Sequence, residues 1–415
     1  MARYDKRKDN TAAGVAEKEP RRREPRVTLS ERITNAERRG PIDMPFFILV
    51  LMILAIGVVM VLSSSFARSY FLRADHDAVH FFRNQLIFAG VGVVVMLLVS
   101  IVPANWFRRY SGMLLLVTVI VLIAVLIPGI GQVRNGARRW IGIGDTLTFQ
   151  PSEIAKITVI IFSAHLACLY KDRIKTLRWG TLPMLALVGG LAGLVILERH
   201  FSGTIIVGLV GVIMMFAAGT NVLYLGGLAA LGGAGIAGLI LLTGYSSDRV
   251  SAWLDPFADL QGGGWQIVQS LYAIGSGGFL GVGLGQSRQK YLYLPESYND
   301  YIFSIVCEEL GFVGAVLVLT LFALLICRGY WLALHAKDRF SSLVITGITS
   351  LVAIQTILNI AVVTNTIPAT GISLPFFSYG GTALLLQLAE MGVILSMSRD
   401  IPMRKPKKTE GDAEK

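Results

Sequence analysis

The sequence predicts an all-α, polytopic membrane protein, and three observations carry this prediction. Of the 415 residues, 53% are hydrophobic and only 16% are charged, whereas soluble domains carry about 25% charged residues. Apolar runs of nearly the same length recur along the chain, and that length, about 20 residues, spans the hydrocarbon core of a bilayer. The 44 glycines suit close packing of helices in lipid. One helical bundle therefore accounts for nearly all of the chain.

Ten apolar runs are long enough to be membrane-spanning helices. The predicted spans are residues 44–66, 81–103, 112–130, 153–170, 181–197, 203–219, 222–244, 301–326, 341–364 and 379–398. Most Lys and Arg residues fall on one side of these spans, so the positive-inside rule places both termini in the cytoplasm. This placement accounts for most of the net charge of +11, so no nucleic-acid partner is expected.

The spans divide the chain into a membrane domain and two tails. Residues 1–43 are rich in charge and poor in apolar residues, which predicts a disordered, basic cytoplasmic tail. Residues 44–400 form the ten-helix transmembrane domain, and residues 401–415 a cytoplasmic C-terminal tail. The longest extracellular segment is the loop 245–300 between helices 7 and 8, and long loops in compact proteins are often functional. Within it, Trp265–Tyr272 has apolar residues at helical spacing, which predicts a short interfacial or partly re-entrant helix.

The end of this loop carries the main candidate for chemistry. Residues 287–312 read SRQKYLYLPESYNDYIFSIVCEELGF, which places Glu296 and Asp300 directly before an apolar run. A carboxylate at the mouth of a membrane helix, with water on one side and lipid behind it, can have its protonation tuned by its surroundings. We therefore expect Asp300 to perform chemistry on a substrate at the membrane surface. The residues alone leave two alternatives open, namely that Asp300 caps the helix and that Glu296 is a solvated loop residue.

Further charged residues could line the same site. Glu153 and Lys156 share one helix face at the start of a span, where an ionisable group usually faces a cavity. They could position an anion or simply form a structural ion pair. The predicted outer surface also carries isolated cations that together would suit a pyrophosphate, or that could each anchor the protein at lipid headgroups. These cations are Arg138, Arg139, Arg249, Arg288 and Lys290.

Other polar residues give weaker signals. Glu308, Glu309 and Glu390 lie within predicted spans, where buried carboxylates serve either as proton relays or as structural hydrogen-bond acceptors. The three cysteines lie in or at the ends of apolar runs without metal-ligand spacing, so we expect packing residues rather than disulfides. No paired histidines and no nucleophile motif are visible.

Four motifs follow one another along residues 44–400. They are NGARRW with QPSEIAK (135–140, 150–156), WLDPF with GWQIVQS (253–257, 264–270), LPESYNDYIFSIVCEEL (294–310) and PATGISLPFFSYGGT (368–382). Together they resemble the SEDS family (shape, elongation, division and sporulation), which includes FtsW, RodA and SpoVE. The chain is more similar to the FtsW and SpoVE branch. Many members carry a Gln-Pro-Asp-x-Gly-Thr link before the sixth span, whereas residues 199–204 read RHFSGT, so that acidic residue is missing here.

The resemblance implies a peptidoglycan glycosyltransferase that polymerises lipid II at the outer face of the bacterial cytoplasmic membrane. The essential acidic residue of the family falls on Asp300, and the family's Glu and Lys fall on Glu153 and Lys156. The resemblance further implies a class B penicillin-binding protein, other divisome or elongasome membrane proteins and membrane lipid as partners. A lipid II flippase, a membrane scaffold for a division complex and a RodA-type elongation polymerase remain alternatives.

The implied reaction converts an α-linked pyrophosphate into a β-1,4 bond, so the anomeric centre inverts in one displacement. That reaction needs one general base and a group that steadies the departing charge. We expect Asp300 to be the base and the outer arginines to hold the leaving group. A divalent cation, Mg²⁺ or Mn²⁺, is also expected, with Asp300 as a possible ligand.

Overall fold

The computed structural model describes residues 39–401, apart from residues 135–136, 144–146, 172, 244–246 and 261. Both predicted tails lie almost wholly outside this part of the chain. Within it the protein is mainly helical, as predicted, with one small sheet. The three cysteines are free, which agrees with the prediction that they form no disulfide.

Helices overlap all ten of the predicted spans. In chain order they are α1 (Met44–Leu72), α2 (His80–Ile101), the short α3 (Ala104–Arg109), α4 (Ser111–Leu126), α5 (Pro151–Leu169), α6 (Leu182–Leu197), α7 (Phe201–Ala217), α8 (Val222–Thr243), the short α9 (Ser247–Leu254) and α10 (Trp265–Ser276), α11 (Ile302–Leu334), α12 (Arg339–Val363) and α13 (Gly381–Ser398). A π-helical turn, Leu177–Thr181, leads into α6.

Length and composition divide these helices into two groups. Among the described residues, seven helices are long and apolar enough to cross a membrane; they are α1, α2, α5, α6 with its leading turn, α11, α12 and α13. Helices α4 and α7 are also apolar but shorter, with 16 and 17 residues. The chain is thus a multi-pass membrane protein, while the count of ten spans and the side on which the termini lie stay predictions.

Acidic caps fix the start of two of the long helices. The Asp43 carboxylate accepts a hydrogen bond from the backbone N–H of Phe46 at 2.9 Å and also pairs in bidentate fashion with Arg328 of α11, at 3.0 and 2.5 Å. Asp338 caps α12 by accepting from the N–H of Ser341 at 2.7 Å. Because Asp43 serves both as a cap and as an ion-pair partner, it joins the beginning of α1 to α11.

A three-stranded antiparallel sheet lies between α4 and α5, and the sequence analysis did not predict it. The strands are β1 (Gly131–Arg134), β2 (Ala137–Ile143) and β3 (Leu147–Phe149), in that order across the sheet. Ile141 of β2 pairs with Gly131 on one side and with Phe149 on the other. The Thr382 hydroxyl at the start of α13 donates to the carbonyl of Thr148 at 2.8 Å. This bond attaches the sheet to the helical bundle.

The loop 245–300 is folded against the bundle. The predicted helix at Trp265–Tyr272 is confirmed as α10, whose Ser270 hydroxyl donates to the Val363 carbonyl of α12 at 2.7 Å. The glycine-rich segment that follows packs against α11, because the N–H groups of Val282 and Gly283 donate to carbonyls of that helix at 3.0 Å. Gly311, with φ of +66°, interrupts the helical geometry of α11 at this contact. The loop therefore holds the segment before Asp300 against the membrane helices.

Candidate active site

The backbone around Asp300 is fixed by α12 and by the link between α12 and α13. The Asn359 side-chain amide donates to the carbonyls of both Asp300 and Ile372, each at 2.7 Å. The Ser378 hydroxyl donates to the Asn299 carbonyl at 2.8 Å. Because Asn359 is fully buried, it sets the position of Asp300 directly before α11.

The helix-cap alternative for Asp300 is not supported by this geometry. Tyr301 occupies the N-cap position of α11, and its side chain makes no capping bond. None of the hydrogen bonds described for residues 39–401 uses the Asp300 carboxylate, although the residue is only half-buried. The carboxylate is therefore not engaged in capping.

Charged groups from three segments surround Asp300. The pKa of Asp300 is raised from 3.8 to about 6, mainly by burial and additionally by the nearby Glu296. Arg139 and Arg249 act in the opposite direction, because a positive charge favours the ionised carboxylate. The structure thus brings together four of the predicted site residues. Their arrangement gives a carboxyl group that titrates near neutral pH beside two cations.

Glu296 and Arg249 are each held by a local contact. Glu296 has a φ of +52°, which is uncommon for a residue with a side chain, and its carboxylate accepts from the Asn299 amide at 2.7 Å. Arg249 is exposed and donates to the Ala369 carbonyl at 3.3 Å. The alternative of a freely solvated Glu296 does not describe its geometry, since the side chain is half-buried and bonded.

The two adjacent arginines of β2 have different surroundings. Arg138 donates to the Leu126 carbonyl at the end of α4, at 3.1 Å. Arg139 lies in electrostatic range of Asp300, Glu198 and His200. Successive side chains of a strand point to opposite faces, which explains why the two neighbours separate. No strand was predicted at this position, so the two arginines were expected to act together.

Glu153 and Lys156 form the predicted ion pair at the start of α5, with Lys156 Nζ 2.7 Å from Glu153 Oε2. Both side chains are largely buried. Lys156 also lies in electrostatic range of Glu390 on α13 and of His200 before α7. Because both residues lie on α5, the pair stabilises the beginning of that helix. Whether the pair contacts substrate stays a prediction.

The prediction that Lys290 is an open outer cation is wrong. Lys290 is only 3% exposed, and its Nζ donates to Glu309 Oε1 at 3.0 Å, to the Ser63 hydroxyl at 3.1 Å and to the Gly285 carbonyl at 2.6 Å. An ammonium group has three donors, and all are used. The physical reason is that Glu309 is buried inside the bundle and requires a positive partner.

Glu308 and Glu309 serve as structural acceptors, which was one of the two predicted alternatives. Glu308 accepts from the Arg288 backbone N–H at 2.9 Å and from the Ser287 hydroxyl. Glu309 accepts from the Ser287 backbone N–H at 3.2 Å. The two carboxylates therefore hold residues 287–290 against α11. The Arg288 side chain itself is exposed, so its predicted role in binding an anion stays open.

The link before α7 contains two residues that sequence reasoning missed. His200 Nδ1 lies 3.0 Å from the Ser152 hydroxyl and 3.1 Å from the Gln150 amide nitrogen. Burial lowers the pKa of His200 to about 3, so the imidazole is neutral. Glu198 is 1% exposed, neither carboxylate oxygen has a hydrogen-bond partner within the described part of the chain, and burial raises its pKa to about 8. The sequence does contain a signal that could have identified Glu198 and His200, because two ionisable residues stand at a break between apolar runs.

The described residues contain no group of three or more His, Cys, Asp or Glu side chains that could hold a metal ion. Near the proposed base, Glu296 and Asp300 are two carboxylates in electrostatic range of each other. Mg²⁺ in pyrophosphate sites is often held by one or two carboxylates together with substrate oxygens. The protein residues present fit that arrangement only if the substrate supplies most of the ligands.

Comparison with known proteins shows the family. The family profile described as "Cell cycle protein", which covers FtsW, RodA and SpoVE, matches residues 44–401. The chain belongs to the FtsW/RodA/SpoVE family. It is 43% identical over 361 residues to Stage V sporulation protein E of Bacillus subtilis (strain 168), covering 86% of this chain and 97% of that protein. It is 38% identical over 366 residues to the probable peptidoglycan glycosyltransferase FtsW of Trichlorobacter lovleyi, covering 88% and 95%.

Solved structures of SEDS proteins have the same fold. One is a chain from the structure described as "Structural coordination of polymerization and crosslinking by a peptidoglycan synthase complex". It aligns with a TM-score of 0.71 and 29% identity, over 87% of this chain and 98% of that chain. The rod shape determining protein RodA of Thermus thermophilus aligns with a TM-score of 0.63 and 26% identity, over 88% and 98%.

Several of the SEDS motifs are joined by hydrogen bonds that lead to the segment around Asp300. The motif at 150–156 begins α5, and the motif at 294–310 leads through Asp300 into α11. The motif at 368–382 forms the link to α13, which Asn359 ties to Asp300. The Ser202 hydroxyl at the start of α7 donates to the Thr370 carbonyl in the same link. Residues that are far apart in the sequence therefore form one cluster.

Proposed function

We propose that the chain is a peptidoglycan glycosyltransferase that polymerises lipid II into β-1,4 glycan strands at the outer face of the cytoplasmic membrane. The observation that carries this proposal is the environment of Asp300. Its carboxyl group caps no helix, has a pKa raised to about 6, and lies in electrostatic range of Arg139 and Arg249 at the beginning of a membrane helix. The chain also covers nearly the full length of a relative named as a probable peptidoglycan glycosyltransferase.

The proposed reaction joins two lipid-linked saccharides in one displacement. The 4-hydroxyl of a GlcNAc residue attacks the anomeric carbon of the MurNAc of the other molecule, and the bond from that carbon to the pyrophosphate oxygen breaks. Asp300, as the ionised carboxylate, accepts the proton of the attacking hydroxyl. Undecaprenyl pyrophosphate leaves with the bonding electron pair, so the anomeric centre changes from α to β.

The departing pyrophosphate carries negative charge that the site must stabilise. Arg139 and Arg249 are placed to do this, because guanidinium groups bind phosphate oxygens in bidentate fashion and both act on the same carboxylate. Fixed positive charge at the point where charge develops lowers the barrier without reorganisation. We assign Arg138 and Arg288 a weaker role, at the lipid headgroups or at a remote part of the substrate.

A divalent cation is a further component of the proposal. Since the protein offers at most two nearby carboxylates, Glu296 and Asp300, the cation would be held mainly by substrate oxygens. When bound, it would offset the charge of the pyrophosphate. Proton transfer to Asp300 and stabilisation of the leaving group by Arg139 and Arg249 do not depend on which cation is bound.

The proposed partners follow the same reasoning. The solved relative in a peptidoglycan synthase complex supports a class B penicillin-binding protein as the partner, together with other membrane proteins of division or elongation. We further propose that both termini lie in the cytoplasm, which puts Asp300 on the outer side with its substrate.

A polymerisation assay in detergent tests the proposal. The purified chain, with a class B penicillin-binding protein and Mg²⁺, is incubated with lipid II, and glycan length is read on gels. The wild type should form glycan, and Asp300→Asn should lower the rate about 10²–10⁴-fold, the usual contribution of a general base. Asp75→Asn, which removes an exposed carboxylate paired with Arg73, is the matched control and should leave the rate unchanged.

Two results would contradict the proposal. A normal rate for Asp300→Asn would exclude Asp300 as the base. Absence of glycan from a folded wild-type sample with its partner would instead favour a lipid II flippase. Detergent removes the bilayer, so a transporter would show no activity in this assay, whereas a polymerase would still form glycan.

A further inference from the structure

A cavity of about 250 Å³ lies beside the segment that leads to Asp300. Arg68 and Leu72, near the end of α1, line one part of it. The rest is lined by residues of the segment 290–297, including Lys290, Leu292 and Pro295. Because Pro295 directly precedes Glu296, any molecule in this cavity would contact the segment that carries the proposed base.

The cavity offers one cation to a ligand. The three donors of Lys290 Nζ are already bonded, and Glu309 offsets its charge. Arg68 takes part in no hydrogen bond or ion pair described in this part of the structure, and its guanidinium carbon lies 5.5 Å from the centre of the Tyr298 ring. A guanidinium group has five N–H donors. An anion in the cavity would therefore be bound by Arg68.

Apart from Ser297, the remaining lining is apolar, and it reaches the surface. Leu72 and Leu292 are 59% and 43% exposed, whereas Leu294 is buried. Exposed tyrosines next to the lining residues, Tyr291 and Tyr293, are typical of the interface between lipid and water. The cavity thus combines a cation with an apolar exit at the depth of the lipid headgroups, which suits an amphiphile with an anionic head.

We propose that this cavity binds the phosphate end of a second polyprenyl-linked molecule, the acceptor whose own pyrophosphate is not displaced. The inference rests on the proposed function, because the reaction joins two lipid-linked saccharides while Arg139 and Arg249 bind the pyrophosphate that leaves. The volume is below the roughly 300–1,000 Å³ of complete small-ligand sites. It therefore suits a headgroup and the first part of a chain whose remainder lies in the bilayer.

Binding stoichiometry tests the cavity independently of catalysis. Native mass spectrometry of the chain in lipid nanodiscs is carried out with undecaprenyl pyrophosphate, which carries no sugar and cannot be polymerised. The wild type should bind two molecules. Arg68→Ala and the cavity-filling Leu72→Trp should each bind one, while Arg73→Ala, a neighbouring arginine paired with Asp75, should still bind two. Melting temperatures equal to that of the wild type exclude a folding defect.

Competition identifies the source of the phosphate. Retention of two undecaprenyl pyrophosphates against an excess of phosphatidylglycerol supports the proposal, whereas loss of the Arg68-dependent molecule to phosphatidylglycerol shows a general lipid site and overturns it. Binding of two molecules by Arg68→Ala overturns it as well.

Kinetics distinguish failure of this inference from failure of the proposed function. Arg68→Ala should raise the lipid II concentration at half-maximal rate about tenfold or more, the usual loss for one charged hydrogen-bond donor, with a smaller change in kcat. If the wild type makes no glycan, the proposed function fails and the binding measurement still reports on the cavity. If glycan forms with unchanged kinetics in Arg68→Ala, only the cavity inference fails.

Discussion

The raised pKa of Asp300 predicts a specific pH dependence of polymerisation. A general base works in its ionised form, so the rate should fall as pH drops through the pKa of Asp300. With a pKa of about 6, roughly a tenth of the carboxyl groups are ionised at pH 5 and roughly nine tenths at pH 7, so the rate should rise about tenfold between them. An aspartate with its ordinary pKa of 3.8 would already be almost fully ionised at pH 5 and would give a nearly flat profile.

The assay is the initial rate of glycan formation at lipid II concentrations far below saturation, because that rate reports the free enzyme. Buffer, ionic strength and divalent cation are held constant from pH 5 to pH 8. Arg249→Gln removes a charge that lowers the pKa of Asp300, so its acid limb should move to higher pH; Glu296→Gln should move it to lower pH. Arg288→Gln is the control with no expected shift. A flat wild-type profile, or identical limbs in the Arg249 and Glu296 variants, would refute the reasoning.

The other predictions concern packing and the cation. Lys156→Met should destabilise the protein by about 3–5 kcal/mol, because it leaves a largely buried Glu153 unpaired, and the double variant with Glu153→Gln should recover most of the loss in thermal unfolding. Gly203→Ala would place a methyl group 2.5 Å from His200 Nδ1 and should cost about 1–3 kcal/mol by overpacking; Gly208→Ala in the same helix meets no atom within 4 Å and should be tolerated, and a similar melting temperature for both would contradict the packing argument. A chelator should abolish glycan formation and added Mg²⁺ should restore it, and full activity without divalent cation would exclude that part of the proposal.

The helical architecture could be predicted because each long helix has a local signature. Apolar runs set the position of every predicted span, and helices overlap all of them. Pro151 with Glu153 marked the beginning of α5 correctly, since proline and acidic residues are favoured in the first helical turn. Composition could not predict the three strands between residues 131 and 149, because these strands depend on pairing with one another and on attachment to α13.

The site was predictable only in part, for a related reason. Asp300 could be identified because the family motif at 294–310 falls on it, whereas a carboxylate before a membrane helix is by itself equally typical of a helix cap, as at Asp43 and Asp338. The misassignment of Lys290 arose because its partner, Glu309, lies 19 residues away and inside a helix. Glu198 was overlooked because a carboxylate between two apolar runs looks solvated in the sequence, whereas the packing of α6 and α7 buries it.

The hydrogen bonds that Glu308 and Glu309 accept from residues 287–290 affect how the protein inserts into the membrane. Entering the bilayer alone, α11 would carry two unpaired carboxylates, and a charged side chain costs up to about 2.5–3.5 kcal/mol when it lies at the centre of a membrane helix. Most donors that relieve this cost, namely Ser287, Lys290 and backbone N–H groups, come from the stretch translated just before the helix, and Ser63 of α1 adds a further hydroxyl. We expect this stretch and α11 to enter the membrane together, so that the segment leading to Asp300 is positioned during insertion.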